Sequence, residues 1–291
     1  MIDAHHHIWE QRDLPWLLGP EQPRIFGSYG SIRRDYLMDE FLSDVRSSGI
    51  EKSVYVQANW ALTNALGEVA WVENAFANAG WDGVIVAYAD FTVSDVRPQL
   101  DALSRYKRVR GIRQQYHWHV NPTYRFAPDA KQLISDNVMA NLGYLSDYNW
   151  SFDLQIFEPQ MADAAKLIAH CPKVNFILQH SGMLEDQSAD GVAKWEHGMR
   201  RLASYSNVYN KLSGLGTFIH RNDPEFIAQM VHKMIELFGA DRCMFGSNFP
   251  IEKIWTSYGQ LFDAYKAATS ESDPQQQKAI FSDTASRIYR M

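Results

Sequence analysis

Short apolar runs alternate along this chain with longer stretches whose apolar residues recur every three or four positions. The runs cover residues 2–7, 53–58, 83–91, 109–115, 151–157, 174–180, 208–214 and 243–250, and predict eight β-strands. Several, such as Val174-Asn-Phe-Ile-Leu-Gln-His180, are almost continuously apolar, the pattern of a strand covered on both faces. Helical periodicity fills the intervals, for example at 38–48, 67–79, 159–170 and 224–238. Gly49, Gly80 and Gly239 follow three of these stretches, where a helix commonly ends in a left-handed residue. Eight strands with helical crossovers predict a single-domain α/β protein over 1–291, a (β/α)8 TIM barrel; an open doubly wound sheet is the alternative. Residues 256–291 read as two further helices, the second opening at Ser272 or Asp273 with Pro274 in its first turn.

Two connections are longer than a compact barrel requires, 10–36 after the first strand and 116–127 after the fourth. Both are rich in aromatic residues, Pro and Arg, and in a barrel both would lie at the strand C-termini, where active sites are built.

Composition narrows the class of partner. The 291 residues are 46% apolar and 21% charged, with a formal net charge of -6 and no block of Lys and Arg, so a nucleic-acid partner is not expected. No apolar run approaches the ~20 residues of a membrane span. Cys171 and Cys243, the only cysteines, sit in or beside apolar runs and read as buried, reduced residues. With no charged leader before the first strand, these features predict a soluble cytoplasmic protein that acts on a small molecule, with homo-oligomerisation left open.

The chemistry concentrates at three strand ends. The first strand places His5 and His7 two apart and hence on one face; an expression tag would run longer and would not continue as Ile8-Trp9. The sixth strand ends in Gln179-His180-Ser181-Gly182, the eighth in Gly246-Ser247-Asn248-Phe249-Pro250. In a closed barrel these ends converge on one mouth, where clustered imidazoles share a ligand, a metal or a water. A dinucleotide fingerprint, a Gly-x-Ser-x-Gly elbow, a phosphate-binding glycine loop and a His-Glu-x-x-His helix are all missing.

Asp3-Ala4-His5-x-His7-x-Trp9, Gly111-Ile112-Arg113, Phe152-Asp153-Leu154, Gln179-His180-Ser181-Gly182, Lys211-Leu212-Ser213-Gly214 and Phe245-Gly246-Ser247-Asn248-Phe249-Pro250 together resemble the amidohydrolase superfamily. Within it they resemble the amidohydrolase-related branch of lactonases, including 2-pyrone-4,6-dicarboxylate lactonase and sugar lactonases. The resemblance spans nearly the whole chain and implies a (β/α)8 barrel that hydrolyses a small lactone or a related cyclic ester or amide. It also implies a catalytic cluster of His5, His7, His180 and position 248, with His5, His7 and His180 as ligands of zero or one zinc. The residues of a binuclear centre are missing, since the fourth strand offers no Lys or Glu at its end and the fifth no His.

Position 248 departs from the pattern, being Asn where the family carries Asp. An amide hydrogen-bonds but does not exchange a proton near neutral pH. Three readings stand: another base acts, with Glu252 or a histidine as candidates; a metal lowers the pKa of its water; or the Asn is an inactivating exchange. Substrate contacts are expected from Arg113, whose alternative is a salt bridge with Asp153 or Asp90, and from Gln57, Trp60, Tyr116, His117, Tyr124, Arg125 and Lys211. A metal-dependent non-oxidative decarboxylase and a ligand-binding barrel without turnover are the rival functions.

Overall fold

A computed structural model describes all residues, 1–291. Its eight strands are β1 (Ile2–His6), β2 (Lys52–Val56), β3 (Asp82–Ala87), β4 (Val109–Ile112), β5 (Ser151–Leu154), β6 (Phe176–Leu178), β7 (Val208–Leu212) and β8 (Cys243–Phe245). They pair in parallel in sequence order, β1 to β8. The ring closes just above the last strand: His6 bridges Phe249, His7 N–H donates to Phe249 O at 2.7 Å, and Asn248 N–H donates to His5 O at 2.7 Å. The chain therefore forms a single (β/α)8 barrel, not an open sheet, with helices such as Ala65–Ala79, Ala189–Ala203 and Pro224–Phe238 wrapped around it.

Most predicted strands are longer than those observed. The sixth apolar run covers 174–180 but only Phe176–Leu178 is strand. Val174 and Asn175 precede the paired segment at one end of the barrel, and buried Gln179 and His180 follow it at the other, so the run overshoots the strand at both ends. The C-terminal part forms Tyr258–Ala268 and then Pro274–Lys278, which runs on through a wide turn at Ala279–Asp283 into Thr284–Tyr289. Asp273 caps the second helix through hydrogen bonds from Gln275 N and Gln276 N, both at 2.8 Å.

Two apolar zones hold the fold together. The larger lies between strands and helices and includes Phe41, Tyr55, Phe76, Phe152 and Leu178. The smaller fills the lower barrel with alternate strand residues, Ile2 and Ala4, Val54 and Val56, Val84 and Val86, closed from beneath by Ala285, Ile288 and Tyr289. Above this layer the interior turns polar. Lys211 Nζ donates to Asp153 Oδ2 at 2.6 Å with both side chains fully buried, and Tyr289 OH donates to Asp153 Oδ1 at 3.0 Å. Cys171 and Cys243 are both free and buried, as expected. No helix is long and apolar enough to cross a membrane.

Candidate active site

Each histidine of the mouth is placed by the backbone that carries it. β1 ends at His6, whose ring points outward and stacks on Phe41 with centroids 3.9 Å apart. His5 and His7 point inward, their ring centroids 5.1 Å apart, and His180 lies 4.9 Å from His5. Asp3 fixes this end of the strand: its Oδ1 accepts from His5 N at 3.0 Å and from Ser247 N at 2.9 Å, and Tyr258 OH donates to Oδ2 at 3.0 Å. His180 leaves β6 in the left-handed region, φ 52°, as does Asn248 beyond β8, φ 57°. Backbone held in such a conformation is commonly found where a side chain must be aimed.

The ring nitrogens are divided between structure and solvent. His7 Nδ1 donates to Val56 O at 2.6 Å, which fixes the tautomer and leaves Nε2 with its lone pair. His180 Nδ1 shares a 3.0 Å hydrogen bond with Ser213 Oγ. Neither nitrogen of buried His5 has a partner. Burial, then the neighbouring positive charges, keeps all three rings neutral. Desolvation and Arg113 hold His7 well below its ordinary 6.5, and desolvation followed by Arg113 and Lys211 brings His180 down to about 3. For His5 the causes are desolvation, then Lys211 and His180.

Over these rings opens a cavity of about 380 Å³. Its floor includes His7, Arg113, His180 and Asn248, and its walls include Trp60, His117 and Arg125, so seven of the expected site residues meet there. Arg113 pairs with neither Asp153 nor Asp90: its guanidinium donates to Gln179 Oε1 at 3.2 Å and to Gln57 O. Burial lowers its pKa to about 10.

The remaining expected residues do not line the cavity. His5 lies beneath it, packed between the other two rings. Gln57 turns its Oε1 to Asn59 N, closing a tight turn at 2.7 Å. Tyr116 is buried against Phe152, with its hydroxyl on Gln114. Tyr124 packs on His119 and Phe218 while its neighbours Thr123 and Arg125 face the space. Lys211 satisfies its charge on Asp153 instead of a ligand. Glu252 lies buried behind Asn248, accepting from Trp255 Nε1 at 2.9 Å, and burial raises its pKa to about 8. Its Oε1 is buried without a partner, and the carboxyl sits beside the Asn248 amide rather than in the cavity lining.

Sequence reasoning missed Trp16, Arg24 and Phe26 from the 10–36 loop, together with Gln115, Gln155 and Thr217. The loop's length and its aromatic and Arg content were the available signal, but nothing in the sequence said which of its side chains would turn inward.

The orphaned His5 nitrogens raise the question of a metal. His7 and His180 commit Nδ1 elsewhere, which leaves the Nε2 of each free, as in imidazoles that bind a metal, but the cavity lining contains no carboxylate and no group of three or more His, Cys, Asp or Glu side chains is placed to hold an ion. In this arrangement the expected His5, His7 and His180 set is not gathered around one ion position.

A closed parallel barrel with neutral imidazoles, an arginine and an amide around a cavity at its C-terminal face defines a barrel hydrolase. The amidohydrolase family model matches residues 2–291, and the chain belongs to that family. It is 33% identical over 293 residues to the uncharacterized protein y4mH of Sinorhizobium fredii, covering all of this chain and 98% of that one. It is 25% identical over 304 residues to an L-fucono-1,5-lactonase of Burkholderia multivorans, covering all of this chain and 96% of that one. A crystal structure of an amidohydrolase from Burkholderia multivorans with bound zinc superposes with a TM-score of 0.83 at 23% identity, covering all of this chain and 99% of the other.

Proposed function

We propose that this protein hydrolyses a small lactone by attack of water at the floor of the barrel mouth. The observation that carries this reading is the His7 ring: neutral, exposed to the cavity by one nitrogen, and locked by Val56 O so that this nitrogen is an acceptor. A water at Nε2 loses its proton to the ring as it attacks the lactone carbonyl. The Nδ1–H···O bond to Val56 strengthens as the ring becomes cationic, and the proton then passes to the departing ring oxygen. Arg113, whose Nε–H is buried and unpaired, stabilises the negative charge that builds on the carbonyl oxygen. His180 and the Asn248 amide orient water and substrate by hydrogen bonding, so Asn at position 248 is consistent with turnover once His7 holds the proton. The 25% identity to a lactonase over the full chain supports the choice of bond.

A panel of γ- and δ-lactones, with and without carboxylates, tests the reading in an assay that follows both acid and carbon dioxide release. Ring opening by enzyme dialysed against a chelator is the expected result. Carbon dioxide from an unsaturated acid would make the protein a decarboxylase, and saturable binding with no turnover of any panel member would make it a ligand-binding barrel.

A further inference from the structure

Gln179 follows β6 directly, is fully buried and does not line the cavity. Its side chain nevertheless spans the gap between the arginine of the cavity floor and the ion pair beneath it. Oε1 accepts from Arg113 Nη1 at 3.2 Å, and Nε2 donates to Asp153 Oδ2 at 2.8 Å. The same Oδ2 takes Lys211 Nζ at 2.6 Å, and Tyr289 OH donates to Oδ1 at 3.0 Å. An ionised carboxylate only accepts, so Asp153 holds the Gln179 amide with its nitrogen toward the ion pair and its oxygen toward Arg113.

Arg113 is thereby gripped at two corners, Nη1 by Gln179 Oε1 and Nη2 by Gln57 O. A guanidinium is planar and rigid, so two fixed corners also fix where its third donor points. That donor, Nε, is buried with no partner, on a side chain that lines the cavity.

The charges of this chain of contacts are arranged as carefully as its hydrogen bonds. Asp153 is already neutralised by Lys211. The amide between Asp153 and Arg113 is uncharged, so Arg113 is aligned without acquiring a counter-ion. A Glu at position 179 would accept the same hydrogen bond and cancel the positive charge. Building on the lactonase reading, we propose that Gln179 is a positioning residue, an uncharged strut that aims Arg113 Nε–H at the reacting carbonyl oxygen. The guanidinium then keeps its full charge for the negative charge that builds there.

Kinetics of Gln179→Met and Gln179→Glu on an opened lactone, with NMR hydrogen exchange at Arg113 Nε, test the strut. Gln179→Met removes the acceptor at similar length and should lower kcat about tenfold or more, with KM within about threefold. In an Arg113→Gln background the same change should alter kcat by about twofold or less, because the strut acts only through the guanidinium. The Nε–H signal, identified by its loss in Arg113→Gln, should exchange about tenfold or more faster in Gln179→Met. Gln179→Glu keeps the hydrogen bond and the slow exchange, yet should still lower kcat about tenfold or more by neutralising the cation. Unchanged exchange in Gln179→Met, equal losses of kcat in both backgrounds, or a fully active Gln179→Glu would each overturn the proposal. If Gln179→Met does not fold, the exchange rate and kcat of Gln179→Glu decide. In a protein that opens no lactone the exchange rates still decide whether Gln179 positions Arg113, and the missing turnover counts against the lactonase reading alone.

Discussion

Gly214 faces the His180 ring so closely that a methyl group on its α-carbon would lie 2.4 Å from Nδ1. The glycine also sits at φ +60°, which other residues reach only with strain. Its missing side chain is the space in which His180 takes its hydrogen bond from or gives it to Ser213. Gly214→Ala should therefore displace the ring and lower kcat on an accepted lactone by about tenfold or more. The left-handed backbone alone should cost about 1–2 kcal/mol in a urea titration. Unchanged kcat would show that the His180 position is not needed.

The buried Lys211–Asp153 pair supports the floor from below. Removing one partner of such a pair leaves a charge stranded in the interior, typically at a cost of about 3–5 kcal/mol. Asp153→Asn should show a loss of that size by chemical unfolding, and Asp153→Asn with Lys211→Met should recover much of it. A single-variant loss under about 1 kcal/mol would contradict the pairing.

Glu252 makes stability depend on pH in a definite direction. Its pKa rises on folding from 4.5 to about 8. Between those values the folded chain holds a proton that the unfolded chain has lost, so stability falls as pH rises through this window and levels off above about 8. Buried Glu68, raised to about 7, adds to the same trend and persists when Glu252 is replaced. Glu252→Gln should thus melt at a higher temperature relative to wild type at pH 9 than at pH 5. An equal difference at both pH values would show that Glu252 is not protonated in the fold.

How much of this was legible in the sequence follows from what each feature depends on. The barrel was readable because covered strands and capped helices leave local marks, such as Val174–His180 and Gly80. His7, His180, Asn248 and Arg113 were readable because they end apolar runs, and strand ends share a mouth once the barrel closes. Lys211 and Tyr116 were misplaced because orientation beyond a strand end depends on partners far along the chain: Asp153 and Tyr289 for one, Phe152 for the other. Arg24 was invisible because its loop is shaped by packing of Trp16 on Trp9 and Tyr29 and carries no periodicity of its own.

The account rests on the free nitrogen of a neutral His7, and the pH profile of kcat/KM for His7→Gln beside wild type tests it most directly. Wild type should keep its activity well below pH 6.5, with no acid limb at the ordinary histidine value, because burial and Arg113 lower the His7 pKa. The variant should lose about 10²–10⁴-fold at every pH, the usual contribution of a general base. A variant within a few-fold of wild type, or a wild-type acid limb centred near 6.5, would contradict it.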